Sequence, residues 1–351
     1  MTARFSVPEE RYATAPPEAR GLARDEVRLL VGERSGVTHS VFRSLGEHLR
    51  AGDLLVVNTS GTLPAAVDAV RHGMRSDTRS DRRSGSRSDT VVGVHFSTEL
   101  DDGTWVVELR GPGGPLLDGR AGERLSLPAG ALLTLLAEHV TGARLWRASV
   151  DVEGGVARYL SLVGRPIRYG YVPRAWPLTD YQTVFAREPG SAEMPSAARP
   201  FTTALVTELV SRGVLFAPLL LHTGVSSPEA GEPPYAERFH VPATTAALTN
   251  WVHSQCGRVI AVGTTAVRAL ESAATDGQVR SASGWTSLVL GPAHPASVVD
   301  GMITGLHTPE ASHLLLLEAV VGAALVQRVY DAAVERDYLW HEFGDVSLLL
   351  A

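Results

Sequence analysis

The chain alternates short apolar runs with polar turns, and the spacing of its apolar positions changes along its length. Val259–Val262 is short, β-branched and bounded by glycines, which predicts a strand buried on both faces. Gly263 then turns the chain, and residues 266–274 are mostly good helix formers. Residues 257–274 therefore predict one βα unit.

Similar βα patterns lie on both sides of a central stretch with a different pattern. Residues 38–57 predict a helix, a turn and a strand, whereas residues 90–150 alternate short β-rich runs with Gly, Pro and Asp turns. The second pattern fits a small antiparallel barrel or sandwich. We therefore expect an α/β domain built from residues 1–66 and 155–351, interrupted by a small all-β domain at residues 67–154.

A strongly polar segment lies inside the expected all-β domain. Residues 71–89 contain six arginines and three aspartates, and Met74 is their only apolar residue. Such a composition cannot form a packed core, so we predict a disordered loop. An arm that contacts RNA is the alternative, although the interleaved acidic residues weaken it.

Composition excludes several function classes. The 351 residues are 44% hydrophobic, enough for a sizeable core, and all 32 basic residues are arginine. Without lysine the chain cannot be a Schiff-base enzyme, a P-loop NTPase or a protein kinase. The net charge of −6 disfavours a broad nucleic-acid-binding surface, so any RNA contact requires a local patch.

The sequence carries no signal for a membrane, a disulfide or a zinc site. It has no apolar run long enough to span a membrane, and its first ten residues do not resemble a signal peptide. Cys256 is the only cysteine, which excludes an intrachain disulfide and a cysteine-rich zinc site. We predict a cytoplasmic protein without a membrane partner, in which Cys256 is a packed core thiol.

Candidate chemical groups lie where apolar runs meet turns. His222 and His307 each follow a predicted strand, and sites in α/β sheets form at strand ends, although each could be a satisfied structural histidine. Asp300 and Asp345 lie at element boundaries, where capping alone would explain them. Motif signatures of α/β-hydrolases, dinucleotide-binding proteins and zinc peptidases are absent.

Arg268 occupies an unusual position in the βα unit. Thr264 and Thr265 are both acceptable N-caps, and if Thr265 is the cap, Arg268 lies in the first turn, where the helix dipole favours anions. One explanation is an ion pair with Glu271 on the helix surface. The other is a bound ligand, because the Gly263-Thr264-Thr265 turn leaves backbone N–H groups unpaired at the helix start.

A second candidate region is the loop at residues 181–202. It is polar and rich in turns without being low in complexity, and loops of this kind commonly line sites. The candidate binding residues in this loop are Tyr181, Gln182, Thr183 and Arg187.

Six segments carry a resemblance to a known family, in the order "GDLLVVNTSGTLPA", "YQTVFAREPGS", "GRVIAVGTTAVRALESAA", "GWTSLVL", "VVDGMITGLHTPEASHLLLLEAVVG" and "FGDVSLLL". Together they resemble the S-adenosylmethionine:tRNA ribosyltransferase-isomerase family of queuosine biosynthesis. The most specific match runs from Val262 to Ser272 and reproduces the family signature Val-Gly-Thr-Thr-x-Val-Arg-x-Leu-Glu-Ser.

The resemblance implies a fold and a reaction. The fold is a barrel-like α/β domain with an inserted small antiparallel β-barrel. In the reaction, S-adenosylmethionine donates its ribosyl part to the aminomethyl-deazaguanine base of a tRNA anticodon, where it rearranges to an epoxycyclopentane, with release of adenine and methionine. This chemistry needs a base for the acidic proton beside the sulfonium and groups that assist the departure of adenine. It needs neither a metal nor a nucleophilic lysine.

The resemblance also ranks the candidate residues. It favours a ligand contact for Arg268, with Glu271 orienting it. The catalytic candidates are His222, Asp300, His307 and Asp345. The substrate-binding candidates are Tyr181, Gln182, Thr183, Arg187, Gly263, Thr264, Thr265, Arg268 and Glu271.

Several loops depart from the family pattern. Two arginines usual after Asn58 are missing, a usual histidine is replaced by Pro200, and the stretch after His222 is rewritten. These changes remove phosphate contacts and proton-transfer groups. They leave open a divergent transferase with a non-tRNA acceptor, or an inactive relative that only binds S-adenosylmethionine.

Overall fold

The computed structural model describes residues 3–72, 89–139, 144–225, 235–309 and 311–351. Most of the segment predicted as a disordered loop lies outside this part of the chain. The strands are β1 Arg28–Glu33, β2 Gly36–Val41, β3 Leu54–Asn58, β4 Ser60–Thr62, β5 Ala66–Arg71, β6 Thr90–Glu99, β7 Trp105–Gly111, β8 Gly114–Pro115, β9 Arg124–Ser126, β10 Leu132–Glu138, β11 Leu145–Asp151, β12 Glu188–Ser191, β13 Leu215–Leu221, β14 Glu237–Val241, β15 Val259–Val262, β16 Ala274–Thr275, β17 Gln278–Val279, β18 Ala282–Thr286, β19 Gly301–Gly305 and β20 Val346–Leu350. The α-helices are α1 Val156–Val163, α2 Thr203–Ser211, α3 Ala243–Ser254, α4 Thr264–Ser272, α5 Ser312–Val321 and α6 Ala323–Glu335.

The chain divides into two compact units. The main unit comprises Met1–Gly61, Arg168–Glu188 and Met194–Ala351, and the barrel unit comprises Thr62–Ile167 and Pro189–Glu193. The main unit is a mixed α/β structure and the barrel unit is antiparallel β, so the predicted fold class is confirmed.

The main unit is organised around a sheet of nine strands in the order β18-β14-β13-β3-β15-β19-β20-β1-β2. The strands β13, β3, β15 and β19 are parallel to one another. Strand β20 is antiparallel to β19, and β1 runs parallel to β20. The four parallel strands therefore place their carboxyl ends at one edge of the sheet, which we call the carboxyl edge, and their amino ends at the opposite amino edge.

Alternating side chains of the central strands pack into two cores on opposite faces of the sheet. In β3, Leu54 and Val56 contribute to one apolar cluster, while Leu55 and Val57 contribute to the other. Strand β15 shows the same alternation, and all four of its residues are buried. Burial on both faces explains the continuous apolar runs seen in the sequence.

Helices cover both faces of the sheet. Leu205 and Leu209 of α2 join one core, and the apolar side of α4 and α6 joins the other. In the described part of the chain no single helix is long and apolar enough to cross a membrane. Helices α5 and α6 reach that length and composition only as a pair bent by 120°.

The turn before α4 differs from the prediction. The helix begins at Thr264 and its N-cap is Gly263, so neither of the two threonines considered as caps is the N-cap. Gly263 has φ +93°, a left-handed conformation that favours glycine, and its N–H donates to the carbonyl of Ile303 at 2.8 Å. Arg268 consequently lies in the second helical turn, where the dipole penalty is smaller.

The barrel unit closes on itself. Strands β5, β6, β7, β11, β10 and β9 pair in a ring, and every pairing in it is antiparallel. Val94, Phe96, Leu109 and Leu133 are fully buried, so side chains fill the unit. Arg71 ends β5 rather than starting a loop, because its guanidinium pairs with Asp118 and Glu123.

The single cysteine is not a core residue. Cys256 is exposed and has φ +56°, in the turn after α3. The prediction of a packed thiol is wrong because the helix ends just before this residue and turns it toward solvent.

Candidate functional site

The carboxyl edge brings together groups from distant parts of the sequence. His222 follows β13, Asn58 ends β3, the Gly263 turn follows β15, and His307 lies two residues beyond β19. Neighbouring strands are about 4.8 Å apart, so three strand spacings separate His222 from His307, about 14 Å. A site at this edge is what the parallel arrangement predicts.

Asn58 ties three elements together at this edge. Its side-chain amide donates to the carbonyl of Leu221 at 2.8 Å and to Oγ1 of Thr265 at 3.3 Å. Its side-chain oxygen accepts the backbone N–H groups of Ser60 and Leu221, both at 3.0 Å. Asn58 is fully buried, so it fixes the ends of β3 and β13 against the start of α4. The polar turn after β3 was the available signal, but the sequence did not single out this side chain.

His222 is held by the side chain of Ser60 and by the backbone of β14. Its Nδ1 lies 2.7 Å from Oγ of Ser60, and its backbone N–H donates to the carbonyl of Arg238 at 3.0 Å. Burial lowers the pKa of His222, while Glu188 opposes and Arg238 reinforces this shift. The imidazole is therefore neutral at physiological pH, with its orientation set by Ser60.

His307 is held by three contacts. Its Nε2 lies 2.9 Å from Oγ1 of Thr304, and its backbone N–H donates to the hydroxyl of Tyr330 at 3.2 Å. Its ring stacks on that of His313, with centroids 4.6 Å apart and planes 1° from parallel. Nδ1 of His307 has no hydrogen-bond partner among the described residues, so it can meet a ligand. Burial, His313 and His341 hold the pKa of His307 well below its usual value.

Asp345 lies at the same edge but is fully engaged. Because β20 runs antiparallel to β19, the residue before β20 reaches the carboxyl edge. Its carboxylate accepts the backbone N–H of Arg28 at 2.9 Å, Nε at 3.1 Å and Nη2 at 3.0 Å, and the N–H of Leu339 at 2.8 Å. With the side chain 5% exposed, this geometry indicates an anchor for β1 rather than a proton acceptor.

Asp300 lies at the wrong edge for the predicted constellation. It precedes β19, and since β19 runs parallel to β15 it reaches the amino edge. Its Oδ2 accepts the N–H of Val259 at 2.8 Å and contacts Nε2 of His253 at 3.1 Å. The four residues of β15 separate the two edges by about 13 Å. The structure therefore does not bring Asp300 together with His222 and His307.

Arg268 has a protein partner that the sequence did not reveal. Its Nη1 donates to the carboxylate of Glu237 in β14, Nε donates to the carbonyl of Leu288 at 3.2 Å, and Nη2 donates to two carbonyls, of Tyr235 and Thr286, at 3.2 and 3.3 Å. The side chain is 8% exposed. Burial raises the pKa of Glu237, and Arg268 opposes that rise. Arg268 thus joins α4 to strand β14.

Glu271 does not contact Arg268 as expected. Its carboxylate accepts the backbone N–H groups of Ser297, Val298 and Val299 at 2.9–3.1 Å, and the hydroxyl of Ser297 at 2.7 Å. These donors come from three consecutive residues and from one hydroxyl, so they fix the carboxylate in one place. Glu271 therefore holds the loop that leads into β19, and the prediction that it orients Arg268 is wrong.

The 181–187 segment is anchored near the end of β3. Tyr181 packs on Phe343 with ring centroids 5.2 Å apart, and burial raises its pKa. The carbonyl of Gln182 accepts Nη1 of Arg24 at 2.9 Å, and Oγ1 of buried Thr183 accepts a backbone N–H two residues later at 3.2 Å. The side chains of Tyr181 and Thr183 and the backbone of Gln182 are therefore held by other parts of the protein.

Arg187 has a different environment. It is exposed, and its backbone N–H donates to the carbonyl of Thr59 at 2.9 Å. Of the four candidates in this segment it is therefore the one whose charge faces solvent beside the turn that follows β3. An exposed guanidinium there can meet an anionic group.

The segment around Ser196 packs beside two glycines of the site. A Cβ at Gly305 would lie 3.9 Å from Oγ of Ser196, and one at Gly263 would lie 3.5 Å from Cβ of Ala197. The segment around Ser196 therefore crosses the carboxyl edge. A small cavity beside it is lined by Ser196, Gly305 and His341, among others. In the described residues, no group of three or more His, Cys, Asp or Glu side chains could hold a metal ion.

The whole chain is similar to a family of known proteins. The profile of a family described as "Queuosine biosynthesis protein" matches residues 2–349. The S-adenosylmethionine:tRNA ribosyltransferase-isomerase of Carboxydothermus hydrogenoformans is 33% identical, over 99% of this chain and 98% of the relative. The protein of the same name from Symbiobacterium thermophilum is 34% identical over the same shares.

A third relative and a solved structure give the same result. The protein of that name from Deinococcus radiodurans is 34% identical over 98% of this chain and 93% of its own. The crystal structure of S-adenosylmethionine tRNA ribosyltransferase from Thermotoga maritima has a TM-score of 0.53 and 26% identity, and the match covers 99% of each chain. The similarity therefore spans the main unit and the barrel unit together.

Proposed function

The chain belongs to the queuosine biosynthesis protein family, and we propose that it is an S-adenosylmethionine:tRNA ribosyltransferase-isomerase. It transfers the ribosyl part of S-adenosylmethionine to a 7-aminomethyl-7-deazaguanine base of tRNA and isomerises it to give epoxyqueuosine, with release of adenine and methionine. Full-length relatives named for this activity support the proposal, and nothing in these comparisons favours a non-tRNA acceptor or an inactive relative.

The observation that carries the site assignment is the environment of His307. A base for the proton beside the sulfonium must be neutral and must present a free ring nitrogen. His307 has both properties: its pKa is held well below the usual value, and its Nδ1 has no partner in the described residues. We assign His307 as the base. The proton moves from carbon to Nδ1, and the electron pair stays on the carbon beside the positive sulfur.

The remaining groups at the carboxyl edge suit a nucleoside-like substrate. The Gly263 turn presents backbone N–H groups at the start of α4, next to the Oγ1 of Thr265 that Asn58 orients. His222, held by Ser60, is the second proton-transfer group and assists the departure of adenine. Arg268 fixes α4 against β14 through its pair with Glu237, and exposed Arg187 meets an anionic part of the acceptor.

The decisive experiment is adenine release from S-adenosylmethionine. The purified protein is incubated with and without tRNA that bears the deazaguanine precursor, and adenine is quantified by chromatography. We expect adenine to appear only with the precursor tRNA and the tRNA base to gain the epoxycyclopentane mass. Adenine release that ignores tRNA but responds to a small-molecule acceptor would overturn the acceptor assignment. Binding without turnover would indicate an inactive relative.

Two further expectations follow from the same proposal. The chemistry requires no metal, so adenine release should be unchanged by a chelator that removes divalent cations. The protein should act in the cytoplasm, where its tRNA acceptor would be found. Fractionation of cells with an antibody against the chain tests the second expectation.

A further inference from the structure

His313 has a position that the proposed chemistry does not use. It lies in the first turn of α5, and its ring is parallel to that of His307 at a centroid distance of 4.6 Å. Its side chain is exposed, and neither ring nitrogen has a hydrogen-bond partner among the described residues. A histidine with no polar partner, stacked on a candidate base, requires an explanation.

The stack completes the restraint of His307. Its Nε2 contact with Thr304 fixes one corner of the ring, and the bond from its N–H to Tyr330 fixes the backbone. A ring held at one nitrogen can still pivot about that contact. A second flat ring lying across its face removes this freedom, so Nδ1 has one direction.

We propose that His313 is a positioning residue, whose ring holds His307 in one orientation and shields one face of it from water. The inference rests on the proposed function, in which Nδ1 of His307 accepts the substrate proton. In the tautomer with hydrogen on Nε2, the Nε2–H donates to Thr304 and leaves Nδ1 as the acceptor. The stacked ring keeps that lone pair aimed at one point.

The charged and polar groups around the pair determine how the two rings respond to pH. Arg268 on α4 faces His313, His341 faces His307 from the segment before β20, and the hydroxyl of Tyr330 on α6 faces the backbone of His307. These described neighbours are cationic or neutral, so they stabilise no positive charge on the two rings. The pKa of His313 is lowered to about 4, first by desolvation on the side that faces the protein and second by the positive charge of Arg268, although the residue also reaches solvent.

The test compares two substitutions with different shapes. His313→Ala removes the stacked ring, whereas His313→Phe keeps a flat ring without ionisable nitrogen. We expect His313→Ala to lower kcat at least about tenfold through loss of orientation, with the KM for S-adenosylmethionine unchanged. His313→Phe should restore most of kcat. The acid limb of the kcat/KM profile should move to higher pH in both variants, further in the alanine variant, where water reaches His307.

Exposed His294 provides the matched control, and His294→Ala should behave as the wild type. Wild-type kcat and pH profile in His313→Ala would overturn the proposal. So would a phenylalanine variant as slow as the alanine variant, because stacking would then not be the cause. Circular dichroism shows whether each variant is folded, and the phenylalanine variant remains informative if the alanine variant is not.

A direct titration of His307 separates this inference from the proposed function. Carbon-13 NMR of histidine-labelled protein follows the protonation of His307 without substrate. We expect its midpoint to rise toward the ordinary value in His313→Ala, and an unchanged midpoint would overturn the inference. A raised midpoint with unchanged adenine release would support the coupling of the two rings and contradict the assignment of His307 as the base.

Discussion

The two edges of the main sheet carry the same kinds of polar residue but differ in how many of their polar groups have hydrogen-bond partners. At the amino edge, Asp53 pairs with Arg258 and accepts the N–H of Arg50 at 2.7 Å, and Asp300 joins Val259 and His253. Each of these two acids accepts hydrogen bonds from neighbouring protein groups, so both have a structural role.

At the carboxyl edge, hydrogen bonds orient two histidines without engaging both nitrogens of His307. Ser60 orients His222 through one nitrogen and Thr304 orients His307 through one nitrogen, and in the described part of the chain Nδ1 of His307 has no hydrogen-bond partner. The comparison shows that a chemical site is recognised by donors and acceptors that can still bind a ligand after the internal hydrogen bonds have been formed. It is not recognised by residue type at a strand boundary.

The largest expected effect is at His307. His307→Gln keeps a side chain that can bond Thr304 but cannot accept the substrate proton, so kcat should fall by about 10² to 10⁴. Rates of adenine release with precursor tRNA measure it. The matched substitution at the amino edge is His253→Gln, which should keep wild-type kcat. Equal losses in both variants would erase the distinction between the edges.

The second effect concerns Arg268. Removing its side chain leaves Glu237 buried without a counter-charge, so Arg268→Ala should lower the free energy of unfolding by about 3 kcal/mol. Urea denaturation measures this loss. The double variant Arg268→Ala/Glu237→Gln should recover part of it, because the neutral amide is cheaper to bury. A double variant no more stable than Arg268→Ala would argue against the pair as the source.

The third effect is the response of stability to acid. Burial lowers the pKa of His341 to about 4, and that of His313 is also about 4, both below the ordinary value of 6.5. Between these values the unfolded chain binds more protons, so the free energy of unfolding should fall as the pH drops from about 6.5 to 4. Denaturation curves across this range test the slope. His341→Asn, which tolerates the local φ of +73°, should flatten it, and an unaltered slope would assign the protons elsewhere.

The smallest effect is at Asp300. Its pair with His253 is partly exposed, with the two side chains 44% and 28% accessible, so Asp300→Asn should cost less than about 1 kcal/mol of stability. The asparagine can still accept the N–H of Val259. Adenine release should be unchanged. A large fall in kcat with normal stability would return Asp300 to the catalytic candidates.

Sequence reasoning predicted much of the fold because the fold depends on local patterns. The apolar run of β15 followed by Gly263 predicted the βα unit, and the β-rich stretch predicted the barrel unit. It considered Thr264 and Thr265 as caps, but the N-cap is Gly263, whose backbone conformation residue type alone did not reveal. It predicted a buried Cys256 from residue type, and the end of α3 exposed it.

The candidate site was predicted in part for a related reason. His222 and His307 were identified because they follow strands, and the parallel sheet places both at the carboxyl edge. Asp300 satisfied the same rule of lying at a boundary, but it precedes a strand. Ser60 and His313 carried no distinguishing pattern, because their significance depends on a neighbour 162 residues away in one case and on ring geometry in the other.

By itself the sequence determined the alternation of elements, the absence of lysine chemistry and the family signature from Val262 to Ser272, because these depend on local order and residue identity. Only the tertiary structure decided which polar groups remain available. In the structure Arg268 pairs with Glu237, and Glu271 accepts hydrogen bonds from the loop before β19. Nδ1 of His307 has no partner among the described residues. Donors and acceptors form hydrogen bonds with groups that are near in space, and the packing of the whole sheet determines which groups are near.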